Sequence, residues 1–156
     1  MRLIALLVLL ASPAWGQAPH HVYIDSTFVR YLEQISETAH VETARCVLGE
    51  FSGDTVRMMA VAEMPWLIVG QTDTSVSWRW WFCPRNTVAL WHSHLWRVAQ
   101  KQDPAGRATC FLSAPDMGLL NRPEAPWFAM VSIKRGWTCL FVRLGGDSIG
   151  QVPLTR

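Results

Sequence analysis

Two histidines flank a single serine in the tripeptide His92-Ser93-His94, directly after a short run of β-prone residues. In a β-strand the side chains of residues i and i+2 point to the same face, about 7 Å apart along the chain. Two imidazoles at the end of one strand can therefore converge on one metal ion. Zinc accepts His nitrogen and carboxylate oxygen, and catalytic sites usually combine three protein ligands with water. Two nearby histidines alone are more often surface or capping residues, so a third ligand has to come from elsewhere.

A carboxylate that could complete such a site stands in residues 113–116, which read Ser-Ala-Pro-Asp. The same S-x-x-D pattern is a helix capping box in its own right, because the acid satisfies the backbone of the N-cap residue. Taken alone, Asp116 is therefore predicted to be a helix cap. Glu42 precedes an apolar run that ends at Gly49, and alone it is consistent with an exposed strand-end residue. A zinc site that activates water nevertheless needs a general base, for which Glu is the usual choice.

Together these segments resemble the JAMM motif of the MPN/Mov34/JAB zinc metallopeptidases: a Glu before a strand that ends in Gly, then H-S/T-H, then S-x-x-D. The resemblance implies that Zn²⁺ is held by His92, His94 and Asp116. It implies that Glu42 accepts a proton from zinc-bound water and that Ser113 helps to hold the oxyanion of the tetrahedral intermediate. The activated water would attack an amide carbonyl, so the implied activity is that of a metallopeptidase or isopeptidase.

The resemblance covers residues 25–145 and extends to the fold. It implies an α+β fold, a JAB/MPN-like (cytidine-deaminase-like) sandwich with a curved, mostly antiparallel sheet flanked by helices. Two departures stand out: Leu95 replaces the usual Pro, and the stretch from His94 to Ser113 is longer than in the family. Such an insertion could form a lid over the cleft or mark a degenerate site. Because all five polar residues of the motif are present, we favour an active site with an altered rim.

The local pattern predicts a succession of short elements around these residues. Apolar residues at helical spacing predict a helix over residues 25–39, and residues 113–121 are predicted to form a short helix with Pro115 in its first turn. Strands are predicted over residues 41–49, 55–62, 87–91, 110–112, 126–133 and 137–144, with a strand or extended flap near residues 76–80 and a loop over residues 95–107. This order is typical of an α+β sandwich rather than a doubly wound sheet.

Three residues near the motif have competing interpretations. Glu50 follows Gly49 and is a rival for the role of general base, although we interpret it as a turn residue. Trp91 and Trp96 flank the His-Ser-His tripeptide and could wall a substrate groove. Trp is more often simply core, and strand alternation predicts that Trp91 points away from the two histidines.

The N-terminus has the order of a secretory signal peptide: a positive charge, a short apolar run, and then small residues. We therefore assign residues 1–18 to a signal peptide and residues 19–156 to a single JAMM/MPN-like domain, with cleavage after Gly16 or after Ala18. The apolar run is too short to span a bilayer permanently, and no second such segment follows. The mature protein is expected to be exported, either periplasmic or secreted, without a membrane anchor.

Four cysteines follow the signal segment, which in an oxidising compartment predicts two disulfides. Three pairings are open from the sequence. We favour Cys83 with Cys110 and Cys46 with Cys139, since the first bond would tie the chain together on either side of the His-Ser-His tripeptide. The spacings contain no C-x-x-C pair, so a zinc–cysteine site is poorly supported.

The composition restricts the class of partner. The formal net charge is +2 and no basic block is present, so nothing indicates nucleic acid. The expected partner is a protein or peptide substrate whose identity the sequence does not name. Two alternatives to an exported zinc hydrolase stay open: a catalytically inactive MPN-like binding or scaffold module, and an accidental resemblance in a disulfide-stabilised secreted domain. The last would place Asp116 far from His92 and His94.

Overall fold

The structure is a computed structural model that describes residues 21–102, 111–145, 148–152 and 154. Within these residues the chain forms nine strands and three α-helices. The strands are β1 His21–Ile24, β2 Ala44–Ser52, β3 Thr55–Ala62, β4 Ile68–Gln71, β5 Val76–Trp78, β6 Thr87–Ser93, β7 Phe128–Lys134, β8 Trp137–Gly145 and β9 Ser148–Val152. The helices are α1 Ser26–Thr38, α2 Trp96–Gln102 and α3 Ala114–Leu120, and short 3-10 helices span Pro65–Leu67 and Trp80–Phe82. The predicted signal peptide, residues 1–18, lies outside the described residues.

Seven strands form one sheet in the order β1-β3-β2-β6-β7-β8-β9, while β4 and β5 pair separately as a small hairpin. The pairs β1–β3 and β6–β7 are parallel, and the other four pairs of the large sheet are antiparallel. The sheet curls into a half-barrel, and strands account for 45% of the structure against 26% for helices. The predicted α+β sandwich of JAB/MPN type is therefore wrong: this is a mostly β fold with few helices. The prediction rested on short motifs around His92, Asp116 and Glu42, and such motifs do not specify how many strands the sheet has or how they are ordered; β1 and β9, at its two edges, were not predicted.

Several local predictions are confirmed. The helix expected over residues 25–39 is α1, which begins after Asp25, whose carboxylate accepts a hydrogen bond from the N–H of Thr27. The expected hairpins are β2–β3 and β7–β8. Gly53 and Gly136 occupy their turns with positive φ angles of 62° and 82°, a region that favours glycine.

Other elements differ from the prediction. The segment expected to be a loop over residues 95–107 contains α2, because Leu95 and Ala99, four residues apart, are both buried. The strand expected over residues 110–112 is absent at Phe111 and Leu112, which have no regular structure, and Cys110 lies outside the described residues. The edge strands β1 and β9 were missed because they are short and largely exposed, so they lack a strong hydrophobic signal.

The central strand β6 runs through the interior and contributes to the largest apolar cluster. Six of its seven residues are buried, and Trp91 is fully buried in the cluster that includes Phe28 and Leu32 of α1. The indole N–H of Trp91 donates to Ser132 Oγ at 2.9 Å, which satisfies its one polar atom. A second cluster contains Ala99 of α2, together with Leu120, Val131 and Phe141. The strand that carries the histidines is thus held firmly in the core.

A disulfide joins Cys46 of β2 to Cys83, which follows the second 3-10 helix. The favoured pairing of Cys83 with Cys110 and Cys46 with Cys139 is therefore wrong. Cys46 is buried on a central strand, and the chain between β3 and β6 returns to it, a long-range approach that cysteine spacing does not reveal. No helix within the described ranges is both long and apolar enough to cross a membrane.

Candidate metal site

Strand β6 brings the two histidines together at its C-terminal end. His92 belongs to the strand, and the N–H of His94 donates to the carbonyl of Ser132 at 2.9 Å, so extended pairing with the β7 side continues past the strand. Both imidazoles are buried, with residual exposures of 8% and 7%. Their Nε2 atoms lie 2.9 Å apart. The two rings therefore converge on one point, as the spacing of the tripeptide predicts.

Helix α3 supplies the carboxylate from a distant part of the chain. Asp116 Oδ2 lies 3.4 Å from Nε2 of His92 and 4.0 Å from Nε2 of His94. The possible ligand atoms of the three residues all lie within 4.8 Å of one another, so they are close enough to share one ion. An accidental resemblance would have placed Asp116 far from the two histidines. Asp116 instead lies beside both of them.

Ser113 holds Asp116 through a complete capping box at the start of α3. The N–H and hydroxyl of Ser113 both donate to Asp116 Oδ2, at 2.9 and 2.6 Å. The backbone N–H of Asp116 lies 3.4 Å from Ser113 Oγ in return. Asp116 is thus both the acid of the capping box and the carboxylate that faces the two histidines, and the same oxygen, Oδ2, makes both sets of contacts. The oxyanion role of Ser113 stays a prediction, since its hydroxyl is directed to Asp116 here.

The protonation states of His94 and Asp116 suit a cation. Burial and the neighbouring His92 lower the pKa of His94 to about 4, so its imidazole is neutral at physiological pH. Burial alone would raise the pKa of Asp116, but hydrogen bonds from His92 and Ser113 outweigh it and hold that pKa well below its ordinary value. A neutral imidazole and an ionised carboxylate are the forms in which these residues bind metal.

The donor set fits zinc. A tetrahedral ion with bonds of about 2.0–2.1 Å to nitrogen and oxygen places its ligand atoms about 3.3 Å apart. The observed separations of 2.9, 3.4 and 4.0 Å lie on both sides of that value. Three protein ligands also leave a fourth position for water or substrate, as catalytic zinc sites require. His92, His94 and Asp116 are therefore the residues that could hold Zn²⁺.

The pairing of β2 with β6 places Glu42 beside this cluster. The two strands are antiparallel with Ala44 opposite His92, so the register leads back to Glu42 opposite His94. Two hydrogen bonds join the neighbouring residues Thr43 and Ser93. The N–H of Thr43 donates to Ser93 Oγ at 3.0 Å, and the N–H of Ser93 donates to the carbonyl of Thr43 at 2.9 Å. The serine between the histidines thus anchors the segment that carries the predicted base.

Glu42 is buried, and the pKa of its carboxyl group lies near neutral pH. Burial raises its pKa to about 7, the charge of Asp116 adds to the increase, and His92 opposes it. Its residual exposure is only 6%. A group with this pKa can accept and return a proton near neutral pH, which is the property that a general base needs.

The sequence analysis missed three residues around the site. Gln71 Nε2 donates to the carbonyl of Glu42, and the N–H of Glu42 donates to the carbonyl of Thr72, both at 2.8 Å. Phe111 lies against His94 with ring centroids 5.1 Å apart. No sequence signal marks Gln71 or Thr72, because both contact Glu42 only at its backbone and lie in a segment that has no clear periodicity.

The remaining residues of the motif have structural roles away from the cluster. A Cβ on Gly49 would lie 2.2 Å from the carbonyl oxygen of Arg57, so the β-bulge at this position of β2 requires glycine. The strand continues past Gly49 to Ser52, and Glu50 is an exposed strand residue opposite Arg57 rather than a turn residue. It lies toward the opposite end of β2 from Glu42.

Comparison of the chain with models of protein families finds no matching family. A search of curated protein sequences also finds no match.

Proposed function

We propose that this chain is a zinc-dependent hydrolase of JAMM type, a metallopeptidase or isopeptidase that cleaves amide bonds in a protein or peptide. The observation that carries the proposal is the convergence of His92, His94 and Asp116 beside Glu42, with a neutral imidazole at His94 and an ionised carboxylate at Asp116. The proposal concerns the site and its chemistry. It does not depend on the sandwich fold, which the structure excludes.

Each residue of the chain has a defined task in this proposal. Zinc, when bound, supplies a Lewis acid and lowers the pKa of a coordinated water to about 7. Glu42 takes the proton released near neutral pH and returns it to the leaving amine. The burial of the cluster strengthens these charge interactions, because little bulk water competes with them.

Ser113 is proposed to stabilise the developing oxyanion, and the geometry sets a condition for this. Its hydroxyl has one proton, which is donated to Asp116 at 2.6 Å. To serve the oxyanion, that proton has to turn away from Asp116. The carboxylate would then still be held by the backbone N–H of Ser113, at 2.9 Å.

The first experiment is the zinc content of the purified mature chain and of Asp116→Ala. We expect about one zinc per chain in the wild type and loss of zinc in the variant, since three ligands define the site. The matched control is Asp54→Ala, which removes an exposed carboxylate 3.7 Å from His21 and should leave the zinc content unchanged. A wild type that binds no zinc after reconstitution contradicts the proposal.

Activity separates the hydrolase from the inactive alternative. Zinc-loaded wild type is incubated with a peptide library, and Glu42→Gln serves as the chemically matched variant that retains all three ligands. We expect amide cleavage by the wild type only. A chain that binds zinc stoichiometrically yet cleaves nothing would favour the alternative of a catalytically inactive binding or scaffold module.

We also propose that the protein is exported, to the periplasm or outside the cell. The Cys46–Cys83 disulfide is compatible with an oxidising compartment, and the order of charge, apolar run and small residues supports a signal peptide. N-terminal sequencing of the protein from the cell that makes it should give a start after Gly16 or Ala18. A chain that starts at Met1 contradicts export by this signal.

A further inference from the structure

Three large aromatic side chains form a contiguous exposed cluster, here termed the aromatic patch: Trp66, Trp81 and Phe82. Their exposed fractions are 61%, 58% and 53%. The ring of Phe82 joins the two indoles, with centroids 6.4 Å from that of Trp66 and 6.1 Å from that of Trp81. Single exposed apolar residues are ordinary, whereas a contiguous group of large aromatic rings marks an interaction surface.

The backbone below the patch is held in place, so the rings do not face water for lack of local order. Trp66 belongs to the first 3-10 helix and Trp81 and Phe82 to the second. Each helix also contributes a buried anchor, Leu67 with 1% exposure and Trp80 with 7%. The Cys46–Cys83 disulfide fixes the residue that follows Phe82 to the central sheet.

The charged residues that flank the second 3-10 helix are both arginines, whereas Glu63, three residues before Trp66, accepts a hydrogen bond from the Tyr31 hydroxyl at 2.8 Å. Arg79 and Arg85, on either side of the second 3-10 helix, are exposed, and neither forms an ion pair with any residue that the structure describes. Between positions 64 and 86 the one carboxylate is Asp73, which lies 4.0 Å from Arg97. The patch therefore combines indole and phenyl rings with two guanidinium groups that the described structure does not neutralise.

We propose that the aromatic patch docks the mature protein on an anionic lipid surface. Indole rings favour the boundary between headgroups and acyl chains, because they present an apolar body and a polar N–H. Guanidinium groups bind phosphate oxygens with several hydrogen bonds, and a negative surface attracts them. This is peripheral docking by side chains and differs from a membrane-spanning anchor. It does not depend on the proposed hydrolase activity.

The patch lies on the side of the molecule that carries the metal site. Trp80 is the buried neighbour of Trp81, and the centroids of their rings are 6.0 Å apart. Trp80 packs in one cluster with Leu90 of β6. Leu90 and His92 are two residues apart on that strand and share a face of the sheet. Docking through the patch would therefore hold the metal-site face of the protein toward the lipid surface.

The test is co-sedimentation of the mature wild-type chain with vesicles of phosphatidylcholine and phosphatidylglycerol, and with vesicles of phosphatidylcholine alone. We expect binding to the anionic vesicles that weakens as salt is added. The double variant W81S/F82S should bind at least about tenfold more weakly, since two rings lose their apolar contact. The matched control is Phe51→Ser, which removes a ring with 51% exposure at the far end of β2 and should bind like the wild type.

A second variant, R79Q/R85Q, tests the charge and leaves the aromatic rings intact. It should lose the preference for anionic over neutral vesicles, with an unchanged melting temperature, because both side chains are exposed. A wild type that does not bind anionic vesicles overturns the proposal and would direct attention to a protein partner for the patch. Equal binding by the wild type and both double variants overturns it as well.

Discussion

At the scale of single residues, Glu42 combines a functional property with a cost to stability. A glutamic acid side chain in ordinary surroundings has a pKa of 4.5, and burial raises that of Glu42 to about 7. Placing its charged form in the folded protein is therefore unfavourable, and this is the same property that lets it exchange protons near neutral pH. The pattern of a Glu before a strand identified the residue in the sequence. Its raised pKa follows from its burial in the folded protein, where the charge of Asp116 adds to the increase.

The Glu42→Gln variant should make the metal-free protein more stable above pH 7. Because the folded-state pKa is raised, the stability that protonated Glu42 contributes is fully present below pH 4.5 and is lost as the pH rises through 7. The amide does not ionise, so we expect a gain of about 1–2 kcal/mol in the free energy of unfolding above pH 7, and no gain below pH 4.5. Urea denaturation of chelator-treated protein at both pH values measures this.

The titration of His94 cancels when the free energies of unfolding of wild type and Glu42→Gln are compared at the same pH, because both proteins contain His94. Its pKa is lowered to about 4, so the stability it contributes is present above pH 6.5 and is lost as the pH falls through 4, in both proteins alike. An equal difference between Glu42→Gln and wild type at every pH would show that burial, rather than titration, explains the effect.

Ser113 should matter for zinc affinity through its hold on Asp116. Ser113→Ala removes the hydroxyl bond of 2.6 Å to Asp116 and the side-chain part of the capping box. We expect a loss of about 1 kcal/mol of stability from the lost cap and about 10–100-fold weaker zinc binding, measured by competition with a chelator. Ser113→Thr retains the hydroxyl and should restore both quantities. Unchanged affinity in Ser113→Ala would show that the backbone N–H alone orients the ligand.

At the scale of elements, the β4–β5 hairpin holds the backbone of Glu42, the predicted base, through two hydrogen bonds that are here termed the clamp. Gln71, at the end of β4, donates to the carbonyl of Glu42, and the next carbonyl, that of Thr72, accepts from the N–H of Glu42. On the opposite side, Ser93 holds Thr43. The residue next to the metal cluster is thus fixed by two elements that are more than twenty residues away in the chain.

Gln71→Ala should loosen this clamp without disturbing the metal ligands. The variant loses one part-buried hydrogen bond, which contributes about 1 kcal/mol, and hydrogen exchange at the Glu42 amide should become faster. The zinc content should stay at the wild-type value. Gln34→Ala, on the exposed side of α1, is the matched control and should change neither quantity. Unaltered exchange at Glu42 in Gln71→Ala would mean that the backbone bond to Thr72 suffices.

The elements that were predicted correctly are those with a strong local signal. α1 has a helical apolar period, and the β2–β3 and β7–β8 hairpins have turn residues that favour positive φ. α2 was missed, because the polar residues of its exposed side hide the two buried positions, Leu95 and Ala99. β1 and β9 are stable only as additions to an existing sheet edge, so their own residues carry little information.

At the scale of the whole molecule, the Cys46–Cys83 disulfide ties the segment between β3 and β6 to the central sheet. The bond closes a loop with a sequence separation of 37 residues. Cys83 directly follows Phe82 of the aromatic patch, and Cys46 belongs to β2, the strand that follows Glu42. The segment that contains both the β4–β5 hairpin and the aromatic patch is therefore attached covalently to β2, the strand beside the metal cluster.

Removal of this bond in C46A/C83A should lower the free energy of unfolding by about 2–4 kcal/mol, because the unfolded chain regains the entropy that the closed loop removes. Guanidinium denaturation of the variant beside the oxidised wild type measures the change. The wild type treated with reductant should move toward the variant. A variant as stable as the oxidised wild type would contradict a stabilising role for the bond.

The sequence by itself determined the chemical groups of the candidate site and the elements with strong local periodicity. His92, His94, Asp116 and Glu42 are recognisable because residue type and short spacing are local properties of the chain. The tertiary structure decided the half-barrel sheet, the disulfide partner of Cys46 and the hold of the β4–β5 hairpin on Glu42. These features depend on contacts between segments that are distant in sequence, and such contacts become favourable only when the core packs and brings the segments together.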